Sequence, residues 1–461
     1  MFRKRDTHIH FVGIGGIGMS GIAEVLTNLG YRVTGSDLAT TDTTTRLSGL
    51  GAGIFHSHAP QNIEGADVVV TSSAIRSENP EVTEALARKI PVIPRAEMLA
   101  ELMRLKQGVL IAGSHGKTTT TSILATIFHH AGLDPTVVIG GKVNSFDSNA
   151  RLGYGELLVA EADESDGSFL LLPPTFAVIT NIDDEHLDHY GTLENLLEAF
   201  AGFANRVPFY GATIVCADDE NIRSLLPRIG KRTVTYGIQG SPDYLATNIK
   251  DDGEGSTFEA IARGESLGSF NIQMPGLHNV RNALASIALC DTMSVHPASI
   301  RGALQIFAGV QRRFTIRASS EGITVVDDYA HHPTEIQATL SGARMRFPSA
   351  RIIVVVQPHR YTRVRDNLAR FPESLDAADE VLITEIYAAG ESPIDGIHGQ
   401  ALVDQLIARN PTRPTSLAPA LDEIAATLRP RLKRGDVVVT MGAGSVTKVS
   451  HELALALTEK N

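Results

Sequence analysis

The chain has 461 residues, which corresponds to roughly three domains at the usual size of about 150 residues per domain. Its hydrophobic fraction of 43% supports sizeable buried cores, and its net charge of −11 argues against a general nucleic-acid-binding surface. Only Cys216 and Cys290 are present, which argues against a disulfide framework and favours a reducing, cytoplasmic compartment. Glycines and Glu24 interrupt the apolar N-terminal stretch, so we expect neither a secretion signal nor a membrane span.

The first block, up to about residue 105, alternates strands near 8–13, 31–35 and 67–71 with helical stretches. Directly after its first strand comes Gly13-Ile14-Gly15-Gly16-Ile17-Gly18, which matches G-x-G-x-x-G, and Asp37 follows at the end of the second strand. This pattern predicts a diphosphate bound at a helix N-terminus, with an acid near a ribose. A nicotinamide dinucleotide, a UDP group and a bare tight turn all remain compatible with it.

A second glycine loop opens the next block. Val109 to Ala112 form an apolar run typical of a buried strand, and Gly113-Ser114-His115-Gly116-Lys117-Thr118-Thr119 follows. Helical spacing then continues to His130, with Gly132 as a C-cap. A strand-to-helix turn of this kind binds phosphates through backbone N–H groups and a lysine, and a hydroxyl can hold Mg²⁺. Because Ile111 replaces the first glycine of the full pattern, a variant phosphate loop is favoured over a kinase or GTPase loop.

Two acidic segments follow strands predicted near 156–160 and 176–180, namely 161–166 and 180–186. In an open parallel sheet both segments lie at the edge where the phosphate loop lies. Thr118 and Glu161 supply the oxygen ligands that Mg²⁺ prefers, whereas His186 is a less typical ligand. The alternative is that each segment is a solvated loop with helix caps.

Another strand is predicted near 212–216, and residues 231–272 suggest an antiparallel excursion because Thr, Gly and Asp are frequent and the strands look short. Residues 275–283 (PGLHNVRNA) then open a helix. The polar residues at this helix start either bind a base or phosphate or are simply exposed.

The third block follows residues 310–314 and has apolar runs at 323–326, 352–356, 380–383 and 437–440. Two strand ends lead into the segments 327–334 (DDYAHHPT) and 357–363 (QPHRYTR). Arginine binds carboxylates through two parallel hydrogen bonds and histidine is a base near neutral pH, so these segments predict a site for a small anionic substrate. The paired histidines suggest zinc less well, because no cysteine or third histidine has the usual spacing. Alternating strands and helices predict parallel sheets in every block.

In combination these segments resemble the Mur ligases of bacterial peptidoglycan synthesis, and the resemblance covers essentially the whole chain. Its carriers are GIGGIGMSG at 13–21, AGSHGKTTT at 112–120, EADESDGSFL at 161–170, TNIDDEHLDHYG at 180–191, PGLHNVRNALA at 275–285, RRF at 312–314, DDYAHHPTE at 327–335, QPHRYTR at 357–363 and MGAGS at 441–445. The resemblance implies three α/β domains. These are a Rossmann-like UDP-sugar-binding domain (1–105), a central phosphate-loop ATPase domain (106–311) and a Rossmann-like amino-acid-binding domain (312–461).

The resemblance also implies a reaction, the ATP- and Mg²⁺-dependent joining of L-alanine to UDP-N-acetylmuramate through an acyl phosphate. It implies no nucleic-acid or membrane partner, and a monomer or homodimer. Matched position by position, the UDP-sugar residues are Gly15, Gly16, Ile17, Gly18, Asp37, Ser72 and Ser73. The ATP residues are Gly113, Ser114, His115, Gly116, Lys117, Thr118, Thr119, Asn279, Asn282 and Arg313. The metal ligands are Thr118, Glu161 and His186, and the catalytic residues are Lys117, Tyr329, His359, Arg360 and Arg363, with His359 or His331 as proton acceptor.

The chain departs from the family pattern in three places. Ser114 stands where threonine is usual and Ala330 where glycine is commoner. No lysine lies between Lys142 and Lys231, so a carbamylated lysine bridging a second metal is not expected. Three other functions remain as alternatives: a dehydrogenase, a nucleotide-binding regulator, and a sister ligase that joins a tripeptide to the same sugar nucleotide.

Overall fold

The computed structural model describes residues 6–72, 74–104, 106–143 and 148–458. Ser73, which the sequence assigns to the UDP sugar, lies outside the described residues. The chain divides into two compact units. The first comprises Met1–Ile249, Phe258–Asn271 and Val280–Ala308, and the second comprises Lys250–Thr257, Ile272–Asn279 and Gly309–Asn461. Among the described residues, the helices are too short or too polar to cross a membrane.

The first block forms a five-stranded sheet in the order β3-β2-β1-β4-β5, and every pair in it is parallel. Its elements are β1 (His8–Val12), α1 (Ile17–Asn28), β2 (Arg32–Ser36), α2 (Asp42–Gly49), β3 (Gly53–Phe55), a 3₁₀ turn (Pro60–Ile63), β4 (Val68–Thr71), α3 (Pro80–Ala87), β5 (Val92–Pro94) and α4 (Arg95–Met103). The three predicted strands are confirmed to within one residue. The chain reverses direction across the sheet between β1 and β4, so ligands are expected above their carboxyl ends.

The central block contributes a ten-stranded sheet in the order β15-β14-β13-β12-β11-β10-β6-β9-β7-β8. Its elements are β6 (Gln107–Ala112), α5 (Lys117–His130), β7 (Thr136–Val143), β8 (Ser148–Arg151), β9 (Leu157–Glu161), a 3₁₀ turn (Ser168–Leu171), β10 (Phe176–Ile179), α6 (Leu187–Tyr190), α7 (Leu193–Ala204), β11 (Ala212–Cys216), α8 (Glu220–Leu225), a 3₁₀ turn (Leu226–Arg228), β12 (Thr233–Gly237), β13 (Tyr244–Asp251), β14 (Ser256–Ala262), β15 (Glu265–Ile272), α9 (Leu277–Thr292) and α10 (Pro297–Ile306). β6 pairs in parallel with both β9 and β10. The phosphate loop and both acidic segments therefore emerge at the same edge, as the sequence predicts.

The third block forms a six-stranded sheet in the order β16-β17-β21-β18-β19-β20. Its elements are β16 (Thr315–Ser320), β17 (Ile323–Asp328), α11 (Pro333–Arg346), β18 (Arg351–Val356), α12 (Tyr361–Asn367), α13 (Phe371–Ser374), β19 (Glu380–Ile383), α14 (Gly399–Arg409), β20 (Thr415–Leu417), α15 (Leu421–Leu428), a 3₁₀ turn (Arg429–Arg431), β21 (Asp436–Met441) and α16 (Thr447–Thr458). Alternate residues of β18 point into two cores: Val354 packs in the core that contains α11, and Val355 packs in the core that contains α16. Burial on both faces explains its continuous apolar run.

The prediction of parallel sheets is confirmed for the four strands predicted in this block, but the unpredicted strand β16 is antiparallel to its neighbour, as β8 is to β7 in the central sheet. β16 and β17 are antiparallel, and only Glu321 and Gly322 connect them. Both connecting residues have positive φ, at 56° and 77°, the backbone that a two-residue hairpin turn requires. So short a connection cannot form the crossover that parallel strands need.

Candidate active site

The first glycine of the full phosphate-loop pattern would fall at position 111. Ile111 is instead a fully buried residue within β6, so the loop begins after this strand ends. Gly113 has φ 128°, and a Cβ added there would lie 2.2 Å from Thr180 Oγ1. Gly116 has φ 83°, and an added Cβ would lie 2.7 Å from Asn282 Oδ1. Glycine is therefore required at both positions by backbone conformation and by space. Helix α5 begins at Lys117, directly after Gly116, so Lys117, Thr118 and Thr119 lie in its first turn.

The loop that follows β10 holds the phosphate loop in shape. Asn181 accepts hydrogen bonds from Ser114 N through its backbone oxygen (3.0 Å) and from His115 N through Oδ1 (2.8 Å). Thr180 Oγ1 donates to the carbonyl of His115 at 2.6 Å, and Asp183 N donates to Ser114 Oγ at 2.8 Å. The hydroxyl at position 114, which serine shares with the threonine usual in this family, thus has a structural role.

Lys117 forms a buried ion pair with Glu164. Its Nζ donates to Glu164 Oε1 at 2.7 Å and Oε2 at 2.9 Å, and to the carbonyl of Gly113 at 2.6 Å. The Glu164 side chain is only 1% exposed, and burial raises the pKa of its carboxyl. Burial opposes the charge on Lys117, but Glu164 and Asp163 raise the pKa of the amine overall. The predicted phosphate-binding lysine is therefore charged and held in place by a carboxylate that the sequence alone did not single out.

A cluster of possible metal ligands adjoins this pair. Ligand atoms of Glu164, Glu185 and His186 lie within 4.8 Å of one another. His186 Nε2 is 3.7 Å from Glu164 Oε1 and 3.8 Å from Glu185 Oε2. Glu161 ends β9 and Thr118 lies in the first turn of α5, both at the carboxyl edge of the sheet. The three carboxylates and the Thr118 hydroxyl are oxygen donors of the kind Mg²⁺ prefers, so the donor set fits this ion.

The glycine loop of the first sheet is fixed by the end of β2. Gly13 N and Ile14 N both donate to the carbonyl of Ser36, at 2.8 and 3.0 Å. Asp37 Oδ2 accepts from Gly15 N at 2.9 Å. The predicted ribose-binding acid thus contacts the loop itself, and we infer that it positions the loop.

The loop after β4 packs on the same glycines. The Cδ1 of Ile75 would lie 3.2 Å from a Cβ added at Gly13, and Ile75 N donates to the carbonyl of Ser72 at 3.0 Å. Gly16 is the N-cap of α1, and Ile17 begins the helix. The structure thereby brings Ser72 to the predicted diphosphate loop.

In the second unit, the segment after β18 forms a cluster with the segment after β19. The His359 ring stacks on Tyr387 with centroids 5.5 Å apart, and Arg363 Nη1 lies 3.2 Å from His359 Nδ1. Arg360 Nε pairs with Glu391 Oε1 at 2.8 Å. Arg360 has φ 67°, and its backbone N donates to the carbonyl of Tyr387 at 2.9 Å. Strained backbone of this kind occurs preferentially at functional sites.

The segment after β17 completes this cluster. The ring centroids of His331 and His359 are 5.6 Å apart, and those of His331 and Tyr329 are 5.4 Å apart. Burial, together with His331, Arg363 and Arg360, lowers the pKa of His359 to about 3. His359 is therefore a neutral imidazole at physiological pH.

Three further residues from the sequence patterns have local partners in the second unit. His332 Nδ1 caps α11 and its Nε2 lies 3.1 Å from Asn367 Oδ1, which is a structural use of the second histidine. Asn279 Nδ2 donates to the carbonyl of Pro275 at 2.7 Å, so this amide stabilises the start of α9. The Arg313 guanidinium lies 5.3 Å from the centre of the Tyr329 ring.

Comparison with known proteins assigns a family to this arrangement. Residues 8–107 match the model "Mur ligase family, catalytic domain", residues 111–290 match "Mur ligase middle domain", and residues 312–444 match "Mur ligase, glutamate ligase domain". The chain belongs to the Mur ligase family. The resemblance seen in the sequence is thus confirmed, as is the three-domain α/β fold.

Individual Mur ligases show high similarity over their full lengths. The UDP-N-acetylmuramate–L-alanine ligase of Anaeromyxobacter dehalogenans is 56% identical over 460 residues, which cover 100% of both chains. The crystal structure of the UDP-N-acetylmuramate-alanine ligase of Thermotoga maritima has a TM-score of 0.84 at 31% identity, covering 97% of this chain and 98% of that one. A murein peptide ligase from Psychrobacter arcticus has a TM-score of 0.74 at 26% identity, covering 99% of each chain.

Proposed function

We propose that this Mur ligase catalyses the ATP-dependent ligation of L-alanine to UDP-N-acetylmuramate in peptidoglycan synthesis. The observation that carries the proposal is the 56% identity, over full length, to a ligase of that name. We assign the UDP sugar to residues 1–105, ATP to residues 106–311 and the amino acid to residues 312–461. The buried Lys117 and the histidine–arginine cluster support the last two assignments.

The first step transfers the γ-phosphoryl group of ATP to the carboxylate of the sugar's lactyl group, which gives an acyl phosphate and ADP. Catalysis of such a transfer consists mainly of positioning and charge neutralisation. The backbone amides of residues 113–116 and the charged Lys117 serve both purposes. Thr118, Glu161 and His186, joined by Glu164 and Glu185, would hold Mg²⁺, which neutralises charge on the phosphate oxygens when bound.

In the second step the amine of alanine attacks the acyl carbonyl, and phosphate leaves. Arg360 and Arg363 bind the carboxylate of alanine, because a guanidinium matches a carboxylate through two hydrogen bonds. This leaves the proton of the attacking amine to be accepted by His359 or His331.

Hydrogen bonding favours His331 as the proton acceptor. Arg363 only donates, so His359 Nδ1 must accept from it (3.2 Å), and the ring proton of the neutral imidazole then lies on Nε2. The carbonyl of Tyr329 only accepts, so His331 Nδ1 (3.0 Å) carries a proton, and Glu335 Oε2 lies 3.2 Å from the same nitrogen. Because Nε2 of His359 already carries a proton, we assign proton acceptance to His331, and to His359 a hydrogen bond that orients the substrate.

Phosphate release tests the proposal. We expect release only when ATP, Mg²⁺, UDP-N-acetylmuramate and L-alanine are all present, and we expect EDTA to abolish it. Turnover with L-alanyl-γ-D-glutamyl-diaminopimelate but not with L-alanine would instead identify the sister ligase. A nicotinamide-dependent absorbance change with a hydroxy acid would favour the dehydrogenase alternative.

A further inference from the structure

Arg95 follows a strand end at the same edge of the first sheet as the glycine loop. The strands β1, β4 and β5 are parallel neighbours, so the residues directly after them emerge together. The glycine loop follows β1, Ser72 follows β4, and Arg95 follows β5 as the first residue of α4. Side chains after the carboxyl ends of neighbouring parallel strands are where an α/β sheet binds ligands.

The guanidinium of Arg95 lies against Gly18, the last glycine of the G-x-G-x-x-G loop. A Cβ added at Gly18 would lie 1.9 Å from Arg95 Nη1 and 3.0 Å from Arg95 Cζ. Any side chain at position 18 would therefore displace this guanidinium. Gly18 lies in the first turn of α1, where exposed backbone N–H groups already favour a negative charge.

The other end of the guanidinium pairs with Asp163. Arg95 Nη2 donates to Asp163 Oδ2 at 3.2 Å, and the two side chains are 30% and 42% exposed. A guanidinium has five N–H donors, and the Asp163 contact uses one of them. The solvent-accessible position leaves donors that an approaching oxyanion can reach.

We propose that Arg95 binds an anionic group of the nucleotide sugar, either a diphosphate oxygen or the lactyl carboxylate. In this proposal, the glycine at position 18 leaves the space that the Arg95 guanidinium occupies. The identity of the ligand rests on the proposed function. Arg95 lies between the diphosphate loop and the acidic segment that also contains Glu161 and Glu164. A substrate whose diphosphate lies at the glycine loop and whose carboxylate lies at the acidic segment passes the Arg95 guanidinium.

Calorimetric titration of Arg95→Met with three ligands tests the proposal. UDP has the diphosphate alone, UDP-N-acetylglucosamine adds the sugar, and UDP-N-acetylmuramate adds the lactyl carboxylate. A charge-assisted hydrogen bond of ordinary strength corresponds to about a 10- to 100-fold loss of affinity. If Arg95 binds the diphosphate, all three ligands weaken by this factor; if it binds the carboxylate, UDP-N-acetylmuramate alone does. Affinities within twofold of the wild type for all three ligands would overturn the proposal.

Matched variants separate this role from a general effect of charge or folding. Arg88→Met removes the same charge from an exposed ion pair with Glu84 on α3 and should leave all three affinities unchanged. Gly18→Ala should reproduce the loss by displacing Arg95, while Arg95→Lys should restore part of the affinity. An ATP analogue should bind Arg95→Met normally, and an equal loss there would show a folding effect and refute the assignment. Because UDP binding requires no turnover, these titrations test the role of Arg95 independently of the alanine-ligase activity.

Discussion

The buried pair of Lys117 and Glu164 predicts that Lys117→Met destabilises the protein as well as inactivating it. The Glu164 side chain is 1% exposed and that of Lys117 18%, so the substitution leaves an uncompensated carboxylate in the interior. Removing one partner of a buried pair costs about 3–5 kcal/mol of the free energy of unfolding. Turnover should be lost, whereas UDP-N-acetylmuramate should still bind, because the glycine loop after β1 is unchanged.

The pH dependence of the loss has a definite sign. Burial already raises the pKa of Glu164 to about 7, above its usual value of 4.5, and loss of the lysine raises it further. A carboxyl whose pKa is higher in the folded state than in the unfolded state binds its proton more tightly in the folded state. It therefore destabilises the fold increasingly as pH rises above its pKa in the unfolded chain. We expect Lys117→Met to be more destabilised, relative to the wild type, at pH 8 than at pH 6.

Urea unfolding followed by far-ultraviolet circular dichroism measures this effect, since the chain has no tryptophan. The double variant Lys117→Met/Glu164→Gln should regain much of the lost stability, because the buried carboxylate is then absent. Lys231→Met removes an exposed lysine of the same unit and should change stability by less than about 0.5 kcal/mol. Two results would contradict this reasoning about the buried pair. One is an unfolding free energy of Lys117→Met within about 1 kcal/mol of the wild type, and the other is a double variant no more stable than Lys117→Met.

Three further variants test other parts of the structure. Burial opposes ionisation of Glu81, but hydrogen bonds, first from His10, lower the pKa of its carboxyl to about 2. The stability that the ionised Glu81 gives above pH 4.5 is therefore lost as pH falls towards 2. Glu81→Gln should flatten the decline of melting temperature below pH 5. Burial lowers the pKa of His359 to about 3, so the stability that the neutral ring gives is lost as pH falls from 6.5 towards 3. His359→Gln should remove up to about 2 kcal/mol of the decrease in unfolding free energy between pH 7 and 5. An unchanged decrease would contradict the burial of that ring. Gly116→Ala places a methyl group 2.7 Å from Asn282 Oδ1 at φ 83°, so calorimetry should show at least tenfold weaker binding of an ATP analogue and unchanged binding of UDP; equal affinity for the analogue would show that the loop tolerates a side chain.

The sequence predicts the parallel strands well because burial on both faces leaves a continuous apolar run. Val109 to Ala112 is such a run, and it correctly places Ile111 inside β6 and Gly113 at the start of the loop. The short edge strands β3 and β5 are missed, because each has three residues and no buried run. The β16–β17 hairpin is missed for another reason: the sign of φ at Glu321 is not apparent from a glutamate.

The candidate site is predicted in part. Lys117 and His359 are singled out because their segments have recognisable spacing, and their roles stay predictions. Glu391 and Tyr387 are missed, because they belong to a connection after β19 with no distinctive pattern, and only the fold brings them to Arg360 and His359. Arg95 is missed because its partner Gly18 lies 77 positions earlier, and a glycine does not reveal which side chain it accommodates.

Carboxylates of the same chain contact four of the groups that we assign to anion binding. The pairs are Gly15 N with Asp37, Arg95 with Asp163, Lys117 with Glu164 and Arg360 with Glu391. A buried or half-buried cation needs such a partner, since desolvation without one is costly. The same partners compete with a phosphate or carboxylate of the substrate, so each binding step exchanges one ion pair for another and its net free energy is smaller than the contact suggests. The acidic residues within these segments therefore follow from the physics of anion binding as much as the basic ones do.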